Sequence, residues 1–383
     1  MYEYIIIGAG LAGCVMAERI ANILDKKVLI IEKRNHIGGN CYDYFDENNI
    51  LVHRYGPHLF HTDLKEVWEY LSQFTRWNSY QLHVLSFIDG KKVPIPFNLN
   101  TLHELLPADS ARKLEKKLLD KIGFNNKIPI LKLKELDDNE LKYLADFIYE
   151  KVFINYTKKQ WGITPEELDP SVTERVPINV SRDNRYFQDK YQGVPINGYN
   201  QMFREMLKNS NIKLLLNTNF NEVIKLLDDE IFCFNEKFNG KLIFTGQIDE
   251  LFNYKLGELP YRSLKFEFET LPIEYFQETG ITNYPNNHDF TRITEFKHIT
   301  KQENEKTSIV REYPQIYNKE ENIPYYPIPK KEHDDLYRKY LENAAHIKNL
   351  ILVGRLAEYR YYNMDTVVNA ALNKFQIILD ESR

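Results

Sequence analysis

The chain's 383 residues, 43% hydrophobic and 27% charged, suffice for two or three domains with real cores, which excludes disorder and small disulfide scaffolds. A net charge of −5 offers no basic surface for neutralising nucleic-acid phosphate, so no nucleic-acid partner is expected. Cys14, Cys41 and Cys233 form no CxxC pair and leave one over, so neither a zinc site nor a disulfide framework is indicated, and a reducing cytoplasm fits.

The first predicted element is a strand, Tyr4-Ile5-Ile6-Ile7, followed by Gly8-Ala9-Gly10-Leu11-Ala12-Gly13, a helix from Cys14 to Leu24 and a second strand, Lys27 to Ile31. This is a βαβ unit closed by an acid, Glu32. Gly8 and Gly10 permit the tight turn and close approach to a pyrophosphate, and Gly13 lets the helix pack on the strand. The helix start offers unpaired N–H groups to phosphate. Glu32, about 20 residues on, is placed to accept both hydroxyls of an adenosine ribose. A second glycine pair follows in Lys33-Arg34-Asn35-His36-Ile37-Gly38-Gly39-Asn40; it favours FAD over NAD, because many flavoproteins bring the chain close to the cofactor there. The longest apolar run, Tyr4 to Ala17, is short, broken by glycine and without a basic leader, so a cytoplasmic protein with no membrane insertion is expected.

From Asn98 to Pro170 the pattern is charged and helical, as in Ser110 to Ile122 and Glu140 to Phe153, and reads as an inserted helical domain. Alternation returns between Lys255 and Tyr313, in Leu264 to Glu269 and Ser308 to Tyr313, and predicts an antiparallel sheet. Asn349 to Arg355 reads as a buried strand meeting a Gly-Arg turn, with a helix from Asp365 that returns to the first domain. Two features stay open on the residues alone. The pair His58 and His61 suits packed core imidazoles or a general base, and lacks the thiols or carboxylates of a metal set. Tyr156 and Trp161 are as readily two core aromatics as a binding pair.

Taken in order, the glycine fingerprint, Tyr55-Gly56-Pro57-His58-Leu59-Phe60-His61-Thr62, Tyr156-Thr157-Lys158-Lys159-Gln160-Trp161-Gly162, Asn184-Arg185-Tyr186-Phe187, Tyr261-Arg262-Ser263-Leu264, Thr291-Arg292-Ile293, Pro324-Tyr325-Tyr326-Pro327-Ile328 and Gly354-Arg355-Leu356 with Tyr361 resemble the UDP-galactopyranose mutase family along essentially the whole chain. The resemblance implies an α/β fold: an FAD-binding Rossmann-like domain from residues 1–78, 193–254 and 325–383, a helical insertion domain with a mobile loop at 98–178, and an antiparallel β-sheet domain from 79–97, 179–192 and 255–324. It implies FAD, active when reduced, held by Gly8, Gly10, Leu11, Gly13, Glu32, Lys33, Gly38, Gly39, Asn40, His58, His61, Arg355 and Met364. It further implies that Tyr156 stacks on uracil with Trp161 beside the sugar, that Arg175 in the mobile loop swings onto the diphosphate, and that Tyr186, Tyr326, Tyr361 and Arg292 hold that diphosphate. Arg262 and Asn283 are implied at the substrate, and His61, Arg175 and Arg292 in catalysis, His61 with His58 responding to the flavin's redox state.

The implied reaction is attack of reduced flavin N5 on the anomeric carbon, loss of UDP, opening to an iminium, reclosure through the 4-hydroxyl and return of UDP, with no net redox change. A cytoplasmic homodimer feeding cell-surface polysaccharide synthesis is implied with it. The chain departs from the family pattern at Asn363, where an Asp is usual, at Asn155, where Gly is usual, and at Leu82, where Asn is expected. These place sugar and base preference in question, and UDP-N-acetylgalactosamine is an alternative substrate. A net flavin oxidoreductase and a non-enzymatic binding protein of the same fold are the further alternatives.

Overall fold

In the computed structural model, residues 2–163, 177–328 and 330–382 are described. The βαβ unit forms strand Tyr4–Ile7, helix Leu11–Ile23 and strand Val28–Ile31, paired in parallel with Tyr4 beside Val28. Around it a five-stranded parallel sheet runs in the order Ile212–Leu215, Val28–Ile31, Tyr4–Ile7, Lys241–Phe244, Leu350–Leu352. Both faces are covered, as the unbroken apolar runs of its central strands demand. Ile6, Ile30 and Ile243 face the helix Leu11–Ile23 and the C-terminal helix Met364–Glu381, whose Val367, Val368, Ala371, Phe375 and Ile378 form the facing stripe. Ile5, Ile7, Leu29, Ile31, Leu242 and Phe244 face the other way, onto a cluster with Tyr261, Tyr340 and Tyr359.

The helical part has its own core, with Leu102, Leu114, Leu118, Leu133, Leu141, Leu144 and Ile148 buried together. Asn98 starts it, accepting from the N–H groups of Asn100 and Thr101 in a capping box. The helix expected from Glu140 to Phe153 is regular only over Asn139–Ile148; a wider turn at Tyr149–Ile154 then re-phases the chain into a last helix, Asn155–Trp161. Such a bulge turns the following side chains to a new azimuth, and here those side chains include Tyr156 and Trp161.

The second large sheet has seven strands in the order Tyr326–Pro327, Tyr261–Leu271, Thr307–Ile316, Arg292–Glu295, Ile281–Asn283, Val84–Ile88, Lys91–Ile95. Its pairs are antiparallel except Ile281–Asn283 with Val84–Ile88, which run parallel. Alternation does not encode direction, so this pairing was not readable from the side-chain pattern. Strand Tyr191–Pro195 joins Phe60–Thr62 and Trp77–Asn78 in a separate small sheet, and a single bridge between His83 and Arg185 ties the preceding loop to the seven-stranded sheet. The α/β fold combines a Rossmann-like parallel layer, a helical unit and a mainly antiparallel sheet, and its two large sheets meet along a pair of clefts.

Candidate active site: two adjoining clefts

The first cleft, about 1220 Å³, opens at the C-terminal ends of the parallel strands, where open α/β sheets bind ligands. Gly8, Gly10, Leu11, Glu32, Lys33, Gly38, Gly39, Asn40, His58, Arg355 and Met364 all line it. Helix Leu11–Ile23 starts at Gly10 with no side-chain cap, leaving its first N–H groups to whatever occupies the cleft. The two glycine turns abut: a Cβ on Gly39 would meet Gly10 Cα at 2.9 Å. Gly13 lies behind the turn, where a Cβ would meet the Gly8 carbonyl oxygen at 2.0 Å.

Buried Glu32 holds this loop together. Its Oε2 accepts from Ala9 N–H at 2.8 Å and its Oε1 from Arg34 N–H at 2.9 Å. Each carboxylate oxygen keeps a second lone pair for a ligand hydroxyl. Sequence reasoning missed two further lining groups. The Arg34 guanidinium lies over the Tyr55 ring at 4.4 Å and donates to Asn40 Oδ1, leaving Nη1 buried without a partner. Gln247 accepts from the Tyr317 hydroxyl, and its buried Nε2 is likewise unpartnered. Buried donors of this kind ask for an acceptor-rich ligand, so the residues present fit a pyrophosphate-linked dinucleotide. Arg34 adjoins the quoted glycine pair, which was the available clue; Gln247 follows Thr245-Gly246 at the end of a parallel strand, a position open to the same reading.

The second cleft, about 940 Å³, shares Asn40, His58, Tyr325, Arg355 and Met364 with the first. Its walls carry His61, Tyr186, Asn283, Arg292, Tyr326 and Tyr361. Arg292 donates through Nη2 to the Tyr156 hydroxyl at 2.7 Å and faces Glu312, Nε to Oε1 at 3.5 Å. The two are cross-strand partners in the seven-stranded sheet. Burial works against the Arg292 charge, but Glu312 and the surrounding phenols hold its pKa above the ordinary value. Burial in turn raises the Glu312 carboxyl pKa, against the pull of Arg292. Arg292 Nε, Glu312 Oε1 and Asn283 Oδ1 are buried without hydrogen-bond partners. Glu312 was missed by sequence reasoning, although it sits at an inward phase of the alternation in Ser308 to Tyr313.

Trp161 is buried, edge-on to the Tyr361 ring at 5.4 Å and 6.0 Å from that of Tyr326. Arg355 lies 5.3 Å from the Tyr326 ring and donates to the carbonyls of Tyr325 and Tyr362. The structure therefore brings Tyr156, Trp161, Tyr186, Tyr326, Tyr361, Asn283 and Arg292 to one place. Arg262 is turned away, its guanidinium on the backbone carbonyls of Lys159 and Gln160. Arg175 lies outside the described residues. His61 stacks on Phe187 at 3.6 Å, and its Nδ1 sits 3.2 Å from Asp189 Oδ2, at ion-pair distance but off hydrogen-bond alignment.

His58 contacts the Gly56 carbonyl through Nδ1 at 2.8 Å. Burial lowers its pKa to about 4, and Arg355 pushes in the same direction. The fixed positive charge where the clefts join is therefore Arg355, with His58 neutral at physiological pH. The expected result is that the His58 ring resonances of the flavin-free protein hold constant by NMR from about pH 5 to pH 8; a midpoint near the ordinary 6.5 would contradict this.

The departures are also located. Leu82 is buried with Val84 and Ile281, and Leu59, Phe187 and Tyr186 pack on them, so that this part of the second cleft's wall is mainly apolar. Asn363 lines the same cleft. Asn155 is exposed and donates to Asn286 Oδ1. Among the described residues, no group of three His, Cys, Asp or Glu could hold a metal ion, and no helix is long and apolar enough to cross a membrane.

Residues 6–74 match a family model described as NAD(P)-binding Rossmann-like domain, and residues 151–361 match that of UDP-galactopyranose mutase. A UDP-galactopyranose mutase of Mycoplasma genitalium is 35% identical, over 99% of this chain and 95% of its own. A dTDP-fucopyranose mutase of Escherichia coli is 33% identical over the full length of both. A crystal structure of reduced UDP-galactopyranose mutase superposes with a TM-score of 0.77 at 16% identity, covering 99% of this chain and 94% of that one; at that identity the likeness speaks for the fold. With a match spanning 151–361 and a relative more than 30% identical from end to end, the chain belongs to the UDP-galactopyranose mutase family.

Proposed function

We propose that this isomerase interconverts the pyranose and furanose rings of a nucleotide-linked galactose, UDP-galactopyranose being the reference substrate, with reduced FAD in the first cleft. The observation that carries the reading is the junction: a dinucleotide cleft shares Asn40, His58, Tyr325, Arg355 and Met364 with a cleft in which the Arg292 guanidinium stands among phenols. When bound and reduced, the flavin supplies a nucleophilic ring nitrogen, N5, for the anomeric carbon, and no net electrons leave the site.

The chain's own residues do the rest. Arg292 binds and neutralises the diphosphate as a leaving group with a bidentate fork, and Tyr186, Tyr326 and Tyr361 add hydrogen bonds without adding charge. Glu312 is the counter-charge that orients Arg292. Tyr156 holds the uracil end with Trp161 beside the sugar, and we assign Arg175 to the diphosphate, all three on the resemblance alone. Enclosing the sugar would keep water from the anomeric carbon while it is activated. The same proposal includes the domain division given above, a cytoplasmic homodimer and a role in cell-surface polysaccharide synthesis.

A second reading concerns the sugar. This reading sets the sugar's C6 against Leu59, Leu82, Val84 and Ile281, whose side chains offer no hydrogen bond to a 6-hydroxyl, and fucopyranose is galactopyranose without that hydroxyl. A hydrophobic wall discriminates against an added hydroxyl only by about 10²-fold or less, so both sugars are expected to turn over. Dithionite-reduced enzyme supplied in parallel with UDP-galactose, UDP-N-acetylgalactosamine and dTDP-fucose, with furanose products resolved chromatographically, tests both readings. A higher kcat/KM for the 6-deoxy sugar supports the second; preference for the acetamido sugar contradicts both; and no furanose from any of the three removes the proposal.

A further inference from the structure

Arg262 occupies the second residue of strand Tyr261–Leu271 and is 6% exposed. Its Nε donates to the Gln160 carbonyl at 2.9 Å and its Nη2 to the Lys159 carbonyl at 3.0 Å. These are among the last carbonyls of helix Asn155–Trp161, which have no partners within the helix. The helix ends in a left-handed turn at Gly162 (φ +72), whose N–H returns to Lys158 O at 2.8 Å. A Cβ on Gly162 would stand 3.1 Å from Arg262 Nη1, so the turn and the guanidinium are packed together. Among the described residues, the guanidinium has no carboxylate within ion-pair distance. Burial lowers its pKa, and the negative end of the helix is its electrostatic complement.

The same residue is tied into the opposite wall. Arg262 pairs across the sheet with Tyr326, and its carbonyl accepts from Tyr325 N–H at 2.9 Å. One side chain thus links the end of the helix bearing Tyr156 and Trp161 to the strand bearing Tyr326. The helix is also fastened by Asn155 Nδ2 on Asn286 Oδ1 at 3.0 Å, the Tyr156 hydroxyl on Arg292 and Lys159 Nζ on the Tyr284 carbonyl at 2.9 Å. Of these, only Lys159 lies in the C-terminal turn, and it reaches out through its own long side chain, whereas Arg262 takes up the turn's own free carbonyls next to Trp161.

We propose that Arg262 is a positioning residue that touches no part of the substrate: it fixes the C-terminal turn of helix Asn155–Trp161, so that Tyr156 is held at the nucleoside end of the cleft and Trp161 beside the sugar. This rests on the nucleotide-sugar reading above. A residue acting through the helix serves the base-binding Tyr156, so its loss weakens a neutral nucleoside and its diphosphate alike. A residue touching the diphosphate would affect the charged ligand alone.

The test is calorimetric or NMR-detected binding of uridine and UDP, and of thymidine and dTDP, to flavin-loaded wild type, Arg262→Met and Arg262→Lys. Arg262→Met is expected to weaken nucleoside and diphosphate by the same factor, about tenfold, the order available to a cation at a partly buried helix end. Arg262→Lys, which keeps the charge without the fork, should fall between; it also keeps the comparison available should the methionine variant not fold. In a Trp161→Ala background the Arg262 effect should shrink, because both substitutions remove one arrangement. Weakening of the diphosphate alone, or no weakening of either, would overturn the proposal. Wild type that binds neither nucleoside diphosphate would instead overturn the nucleotide-sugar reading on which it rests.

Discussion

Replacing Arg292 with alanine is expected to abolish measurable turnover, a loss of about 10²–10³-fold or more for a group that stabilises leaving-group charge in an enclosed site, while the purified protein remains yellow and flavin-loaded. The residue lines only the second cleft, so flavin binding has no reason to fail. Loss of flavin instead would place Arg292 at the cofactor. Arg292→Lys should recover part of the activity, since charge returns but the fork does not.

The same variant carries a stability signature. Glu312 is 3% exposed, and Arg292 opposes the rise in its pKa that burial causes. Removing the guanidinium lets that rise grow. A carboxyl whose folded pKa exceeds its unfolded value of 4.5 takes up a proton on folding, so its stabilising contribution is complete below that value. It is then lost as pH climbs through the folded pKa. Arg292→Ala should therefore lose more stability relative to wild type at pH 8 than at pH 5, by up to about 3–5 kcal/mol for an uncompensated buried charge. Thermal unfolding at the two pH values reads this directly; an unchanged difference would show that Glu312 does not depend on Arg292.

The second large effect is at Gly13. Valine there would put its Cβ 2.0 Å from the Gly8 carbonyl oxygen and 3.3 Å from Ile6 Cγ2. The first obstacle is backbone of the glycine turn, which has no rotamer to move. The helix must shift off the strand, and its N-terminal N–H groups move with it. Overpacking costs about 1–3 kcal/mol or more, and flavin retention should fall at least about tenfold for each 1.4 kcal/mol lost at the site. Flavin-to-protein ratios after purification, set beside far-ultraviolet circular dichroism, separate loss of cofactor from loss of fold. A Gly13→Val protein with full flavin content would mean that the turn is not the pyrophosphate platform.

What could be read in the residues followed from how narrowly the chemistry constrains them. The βαβ unit was legible because a tight turn, a close helix and a terminal acid each demand a residue type at a set spacing. Tyr156 and Trp161 are a harder case: five apart, they would not share a face of a regular helix end, and the wide turn at Tyr149–Ile154 that sets their direction has no marker in the helical pattern. Arg262 shows the limit of a motif, which gives a residue's identity but not where its side chain points; the guanidinium turned to a helix end. Glu312 was in view as part of an alternating strand, but its role depends on which residue faces it across the sheet, and cross-strand register is long-range information. The parallel pairing of Ile281–Asn283 with Val84–Ile88 is long-range in the same sense. Leu82 could be picked out as a departure, yet only its company, Val84, Ile281 and Leu59, turns one changed residue into an apolar wall.

Whether the reaction is a non-redox isomerisation is decided by product formation from UDP-galactopyranose by dithionite-reduced, flavin-loaded enzyme under anaerobic conditions with no oxidant present. Many turnovers per flavin are expected, with furanose and pyranose reaching an equilibrium ratio and activity lost on reoxidation. Product that appears only with stoichiometric oxidant, or in an amount limited to one equivalent of flavin, would contradict non-redox isomerisation.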